Sequence, residues 1–246
     1  MGKWGIDMYE EMKIKADILT DALPYIQDFN GNIMVIQYSC NHYVDEAQER
    51  VILKDIALLK FLGMKPIIVH SARKGVDLFR ENKRIASLIE ENQIKAIGIC
   101  GIDIQTLTMM VANDYIPVVI PNDIATEGQD FFVENVAREI AVKMKADKLI
   151  FISKDKGIQD QTGHIISMMS LKQLKDKYQD GHFDGFLDLK IQNAITAIEQ
   201  GVRRVHIIDG LLEHSILLEL FSVQGIGTAI LDREDHLYKH EKDILI

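Results

Sequence analysis

The sequence predicts an α/β protein, a mostly parallel open sheet sandwiched between helices. Three observations carry this. Short runs such as IMVI at 33–36, IPVVI at 116–120 and VHII at 205–208 are β-branched and largely apolar, the composition of strands buried on both faces. Longer stretches of helical period stand between such runs. A chain of 246 residues with 47% hydrophobic content suits one large α/β domain or two lobes sharing a sheet.

Residues 6–26 read as an amphipathic helix, with Met8, Met12, Ile18, Leu19, Ala22 and Leu23 near helical spacing and Pro24 marking a bend or a stop. Asn30-Gly31-Asn32 is a turn into a strand over 33–36. A helix over 45–62 ends at Gly63, and a strand over 66–69 follows. Helical period over 75–91 precedes a strand over 96–99, and a helix over 105–112 precedes the strand 116–120. Residues 128–145 read as helix and 148–152 as strand. Ile165-Ile166 and helices over 171–178 and 184–200 lead into the last unit, 201–230. There Asp209-Gly210 breaks the strand 205–208, and His214-Ser215 opens a short helix. Gly225 and Gly227 bracket a tight turn into a strand over 227–230, so the unit reads as βαβ.

Composition narrows the function. The formal net charge is −9 and no Lys/Arg block or aromatic ladder stands out, which argues against a nucleic-acid partner. Cys40 and Cys100 are too few for a disulfide framework, and there is no CxxC; a reducing, cytoplasmic location is expected. The start, MGKWGIDMYEEMK, has no apolar h-region, and no 18-residue apolar run occurs, so no membrane association is expected. No metal-ligand pattern surrounds Asp45-Glu46 or Glu234-Asp235, read as a helix start and a turn.

The ordered words HIIDG, HSxLLELF and GIGT at 206–228 closely resemble the end of the acetylglutamate kinases, members of the amino acid kinase family that phosphorylate N-acetylglutamate on the way to arginine. ADILTDALPYIQDFNGNIMVIQYSCN and ALLKFLGMKPIIVH resemble that family's opening, and IPVVIP and ADKLIFISKDKGI its middle strands. The resemblance implies an N-terminal helix, 1–27, and a kinase-like domain, 28–246, divided into an N-lobe (28–125) and a C-lobe (126–246). The N-lobe is shortened: 71–95 is too brief for the family's substrate-binding hairpin and lid, and a second shortening falls between 103 and 116.

Phosphoryl transfer needs backbone N–H groups near the phosphates and cations over the developing charge. The resemblance places a lysine and a glycine pair after the first strand, where this chain has Gln37, Ser39 and Cys40. Three glycines should follow the histidine of the second strand, where His70 is followed by Ser71, Ala72 and Arg73. The organising aspartate falls at Ala137, the substrate-holding asparagine at Val133, and a threonine-aspartate pair at Ser153-Lys154. Lys190 matches the family's second phosphate-contacting lysine, and is the candidate for a catalytic role. Arg73, Lys74 and Lys190 are the candidate nucleotide or anion ligands, although Lys190 reads equally as a solvated helix lysine and Arg73-Lys74 as exposed. His70 reads as a structural histidine and Cys40 as a small buried hydrophobe.

Arginine-sensitive members hold L-arginine between their N-terminal helix and their closing unit. The resemblance carries that role to His206, Glu219 and Gly225, with Tyr9 as a wall from the helix. A carboxylate suits a guanidinium fork, and a glycine amide admits a carboxylate. The same members form homodimers linked into hexamers by the N-terminal helix. Three readings stay open: an arginine-binding sensor or regulatory relative, or a partner of an active acetylglutamate kinase, with no required cofactor; an active kinase of acetylglutamate or another small substrate using ATP with Mg; and an anion- or nucleotide-binding module without transfer.

Overall fold

In a computed structural model, the described residues are 3–38, 45–73, 75–121, 132–181, 183, 185–222, 224–233 and 237–238. Eight strands form one sheet: β1 (Ile33–Tyr38), β2 (Lys65–His70), β3 (Ala96–Cys100), β4 (Ile116–Ile120), β5 (Lys148–Ser153), β6 (Met168–Ser170), β7 (Arg204–Asp209) and β8 (Thr228–Leu231), in the order β3-β4-β2-β1-β5-β7-β8-β6. The first six in that order run parallel; β8 is antiparallel to β7, and β6 follows β8. The helices are α1 (Lys3–Phe29), α2 (Glu46–Phe61), α3 (Leu78–Glu90), α4 (Ile104–Ala112), α5 (Phe132–Lys143), α6 (Leu171–Asp180), α7 (Gly185–Glu199) and α8 (Ser215–Leu220).

The two-residue period of the strands sorts their side chains into two cores. Met34, Ile36 and Tyr38 of β1 join Ile52, Ile56, Ile85 and Ile216 beneath α2, α3 and α8. Val35, Ile67, Val69 and Phe151 face the other way, onto Ala137, Ile140 and Ile191 of α5 and α7. Local chemistry sets the helix starts. Asp45, Asp77 and Asp103 each accept a backbone N–H from the first turn, and Ser170 and Gln173 form a capping box. Asp77 at the cap explains why α3 begins at Leu78 and leaves Gly75–Asp77 of the expected helix outside it. Gly63 ends α2 at φ +90°, where a Cβ would meet Asn30 Nδ2 at 2.1 Å.

Two expectations change. Pro24 neither stops nor ends α1, which continues to Phe29. The closing unit is not a βαβ crossover, because β7 and β8 are neighbours in antiparallel register, Val205 opposite Ile230. A six-residue helix rises about 9 Å, whereas a six-residue strand spans about 20 Å. Helix α8 covers less than half of that return, and the chain instead enters β8 beside the end of β7, with Thr228 opposite Ile207. The 125/126 lobe boundary, the expected helix start at 128, Ser39, Cys40, Lys74 and Glu234-Asp235 lie outside the described residues.

Candidate functional site

The carboxyl ends of β1, β2 and β5 lie side by side at one edge of the parallel strands, where open α/β sheets take ligands. Lys190 belongs there and is not a solvated lysine. It is 2% exposed, and its Nζ donates to Asp155 Oδ2 at 2.7 Å, from the turn after β5. Gln37 is buried near the end of β1, and Ala137 and Val133 are buried among apolar neighbours on α5. The buried carboxylate of α5 stands one turn before Ala137, at Glu134.

Arg73 is only half-exposed, and a carboxylate already engages it. Its Nε lies 2.9 Å from Glu81 Oε1, and a terminal nitrogen donates to Oε2 at 3.1 Å. Arg84 makes a fork onto Glu49 at 2.6 and 2.7 Å and bonds Glu81 at 2.8 and 3.0 Å; Tyr38 donates to Glu49 Oε1. Burial works to raise the Glu81 carboxyl, but the bonds and charges of Arg84 and Arg73 outweigh it and hold the group below its ordinary value. Two guanidinium groups and two carboxylates thus satisfy one another beside β2. This network escaped the sequence reading, although Glu81 and Arg84 at i, i+3 on a helix are a visible signal.

The second group forms on the face that carries α1 and α8. Alternation along β7 sends Arg204, His206 and Ile208 to that side. His206 Nδ1 bonds Glu219 Oε1 at 2.7 Å, and Glu219 Oε2 accepts the amides of Ile226 and Gly227 at 2.8 and 2.9 Å. Gly225 has φ +63°, and a Cβ there would lie 2.5 Å from Glu219 Oε2, so both backbone and space demand glycine. His206, Glu219 and Gly225 border one cavity of about 30 Å³, together with Lys148, Arg204 and Phe29. That is room for about two waters.

The electrostatics give this cavity a polarity. Burial works to raise the Glu219 carboxyl, but His206 and the two amides hold it below its ordinary value. Burial lowers His206 despite Glu219, so the ring is neutral at neutral pH. A carboxylate can only accept, so Nδ1 carries the proton and Nε2 is left as an acceptor. Nε2 is buried and has no hydrogen-bond partner among the described residues. Tyr9 does not wall this cavity; it is 65% exposed, while Tyr25 and Phe29 from the last turns of α1 line it. Among the described side chains of α1, Tyr25 and Phe29 at that end are buried, whereas Met12, Ile14, Ile18, Leu19 and Leu23 are exposed. No group of three or more metal-ligating side chains occurs among the described residues. No helix there is long and apolar enough to cross a membrane.

Comparison with known proteins places this geometry. The model of the amino acid kinase family matches residues 81–209. The acetylglutamate kinase of Thermoanaerobacter sp. (strain X514) is 32% identical over 283 positions, covering 90% of this chain and 95% of that relative. An alignment longer than the 246-residue chain contains gaps in this chain, in keeping with internal shortening. Among solved structures, N-acetylglutamate synthase from Neisseria gonorrhoeae, complexed with coenzyme A and L-arginine, superposes with a TM-score of 0.70 at 18% identity; the match covers 89% of this chain and 65% of the synthase. Carbamate kinase from Giardia lamblia bound to AMP-PNP gives 0.63 at 11% identity, covering 82% of this chain and 99% of that one. At these identities the two structures speak for the fold alone.

Proposed function

This chain belongs to the amino acid kinase family, and we propose that it is an acetylglutamate kinase-like protein that binds L-arginine between α1 and the closing unit and performs no useful phosphoryl transfer. The observation that carries the reading is the convergence of His206, Glu219 and Gly225 on one cavity. The unpartnered acceptor Nε2 and the Glu219 carboxylate suit a cation with several N–H donors, as a guanidinium has. Lys148 and Arg204 offer charge to a ligand carboxylate, and Tyr25, Phe29 and Leu220 offer apolar surface to its stem. The synthase, which resembles this chain in fold, is complexed with L-arginine. Room for about two waters is less than an amino acid fills, so binding entails movement of the C-terminal end of α1.

The opposite edge of the sheet supports the loss of transfer. Gln37 replaces a cation, Ala72 and Arg73 replace glycines, and Arg73 and Arg84 are engaged by Glu81 and Glu49. One observation favours a second reading, a working kinase. Lys190 is buried and held by Asp155, as a lysine poised for a phosphate would be, and the kinase relatives imply ATP with magnesium. The residues present fit such a group poorly, because Gln37 stands where a lysine is implied and Ala72 and Arg73 stand where glycines are implied. Bound there, the nucleotide would supply the transferable phosphoryl group, and Lys190 would hold its charge.

Titration calorimetry with L-arginine on the wild type and on Glu219→Gln tests the proposal. Heat with the wild type is expected, and its loss in the variant. Removing one member of a paired charge costs about 2–5 kcal/mol, enough to erase a micromolar signal. Absence of heat with the wild type, or equal binding by both proteins, rejects the arginine site.

A further inference from the structure

We propose that Tyr238 is a clasp that holds α1 to the body and keeps the arginine cavity narrow. Tyr238 follows β8 and is 3% exposed. Three cations surround its ring: Lys148 Nζ at 4.1 Å, Arg203 Cζ at 4.1 Å and Arg204 Cζ at 4.0 Å from the centroid. Its hydroxyl donates to Asp147 Oδ2 at 2.6 Å and accepts from Lys148 Nζ. Its ring edge meets Phe29 of α1, with centroids 5.1 Å apart at 73°.

The residues that Tyr238 touches are largely those that border the cavity: Phe29, Lys148 and Arg204. The ring therefore forms the far side of the cavity wall. Its negative face draws three positive groups together that would otherwise repel one another. It also forms the platform on which Phe29 sits. Phe221 adds ring contacts to Tyr25 and Phe29, each with centroids 6.3 Å apart, and Lys148 Nζ lies 4.2 Å from the Phe29 centroid. A long helix gripped at one end by a few rings opens most readily when a ring is lost. Since the cavity admits an amino acid only after movement, Tyr238 sets how easily that movement occurs. The clasp rests on the arginine reading only for the identity of what enters.

Hydrogen–deuterium exchange on the ligand-free full chain tests it, with Tyr238→Leu and Tyr238→Phe beside the wild type. In Tyr238→Leu, amides of residues 22–29 are expected to exchange about tenfold faster, while those of β1, β2 and β4 keep their rates. Tyr238→Phe keeps the ring over the cations, so a smaller acceleration is expected in the same amides. Unchanged exchange at 22–29 in a folded Tyr238→Leu protein overturns the clasp. Should that variant not fold, no acceleration in Tyr238→Phe, or acceleration spread evenly along the chain, does the same. Calorimetry on the wild type separates the two proposals: no heat from L-arginine with Tyr238-dependent exchange rejects the ligand and leaves the clasp standing.

Discussion

At the scale of single residues, burial decides what the polar groups do. His70 ends β2 with Nδ1 donating to the Ser71 carbonyl at 2.9 Å and Nε2 accepting from Asn82 at 3.1 Å. Asn82 also donates to the Val118 carbonyl, and a Cβ on Gly98 would lie 1.9 Å from Asn82 Oδ1. His70 is thus a structural clamp between β2, β4 and α3. Burial pushes its pKa down to about 4. The unfolded chain takes up a proton near pH 6.5 that the folded ring refuses, so stability falls as pH drops from about 6.5 towards 4. The drop in His70's share is about 3 kcal/mol. His206, also lowered by burial, adds in the same sense, whereas Asp55, whose carboxyl burial raises, opposes it at higher pH than its ordinary value. Urea unfolding of wild type and His70→Gln across pH 4–7 is expected to show a shallower pH dependence in the variant. Parallel curves would remove His70 from this account.

At the scale of elements, α1 and α8 contrast. Helix α8 has only six residues, yet it is tied down on two sides. Glu219 fastens it to β7 and the turn before β8, and His214, at φ +58° ahead of its first turn, bonds Asp55 of α2 at 2.9 Å. Helix α1 has 27 residues, and among its described side chains those buried, Tyr25 and Phe29, lie near its C-terminal end, with Leu19 73% exposed. An isolated helix with a bare apolar face is marginal in water, and such a face marks an interaction surface. Light scattering is expected to give a larger assembly for the full chain than for a chain starting at Ala16. Equal masses would mean that α1 links nothing.

At the scale of the whole molecule, two regions stand apart under this proposal. His206, Glu219 and Gly225 meet at one cavity, while at the carboxyl edge Gln37, Ala72 and Arg73 stand where the resemblance implies a lysine and glycines. Removing one charge-stabilising donor costs about a hundredfold to a thousandfold in rate, and groups that act as a unit fail together. Purified protein given MgATP and N-acetylglutamate is expected to form no acyl phosphate above background. Robust turnover would show that Lys190, held by Asp155, suffices.

Strands and helices were legible in the sequence because their signals are local. Ile116 to Ile120 is apolar without a break, and Asp45 stands ahead of a periodic run, so strand β4 and the start of α2 emerge within a residue of their observed limits. The words HIIDG, HSxLLELF and GIGT also singled out His206, Glu219 and Gly225 before any contact was known. The direction of β8 was not legible, since a strand's composition is the same whichever way it runs; the antiparallel register with β7 shows it. Nor were the states of charged side chains. Lys190 finds Asp155, Arg84 finds Glu49 and Lys148 finds Tyr238 across wide gaps in the chain. Tyr25 and Phe29 replace Tyr9 at the cavity because the last turns of α1 are buried against the body while Tyr9 is exposed. Periodicity reports which face of an element is apolar, but what meets that face, and which charges are removed from water together, is settled only when the sheet closes around them.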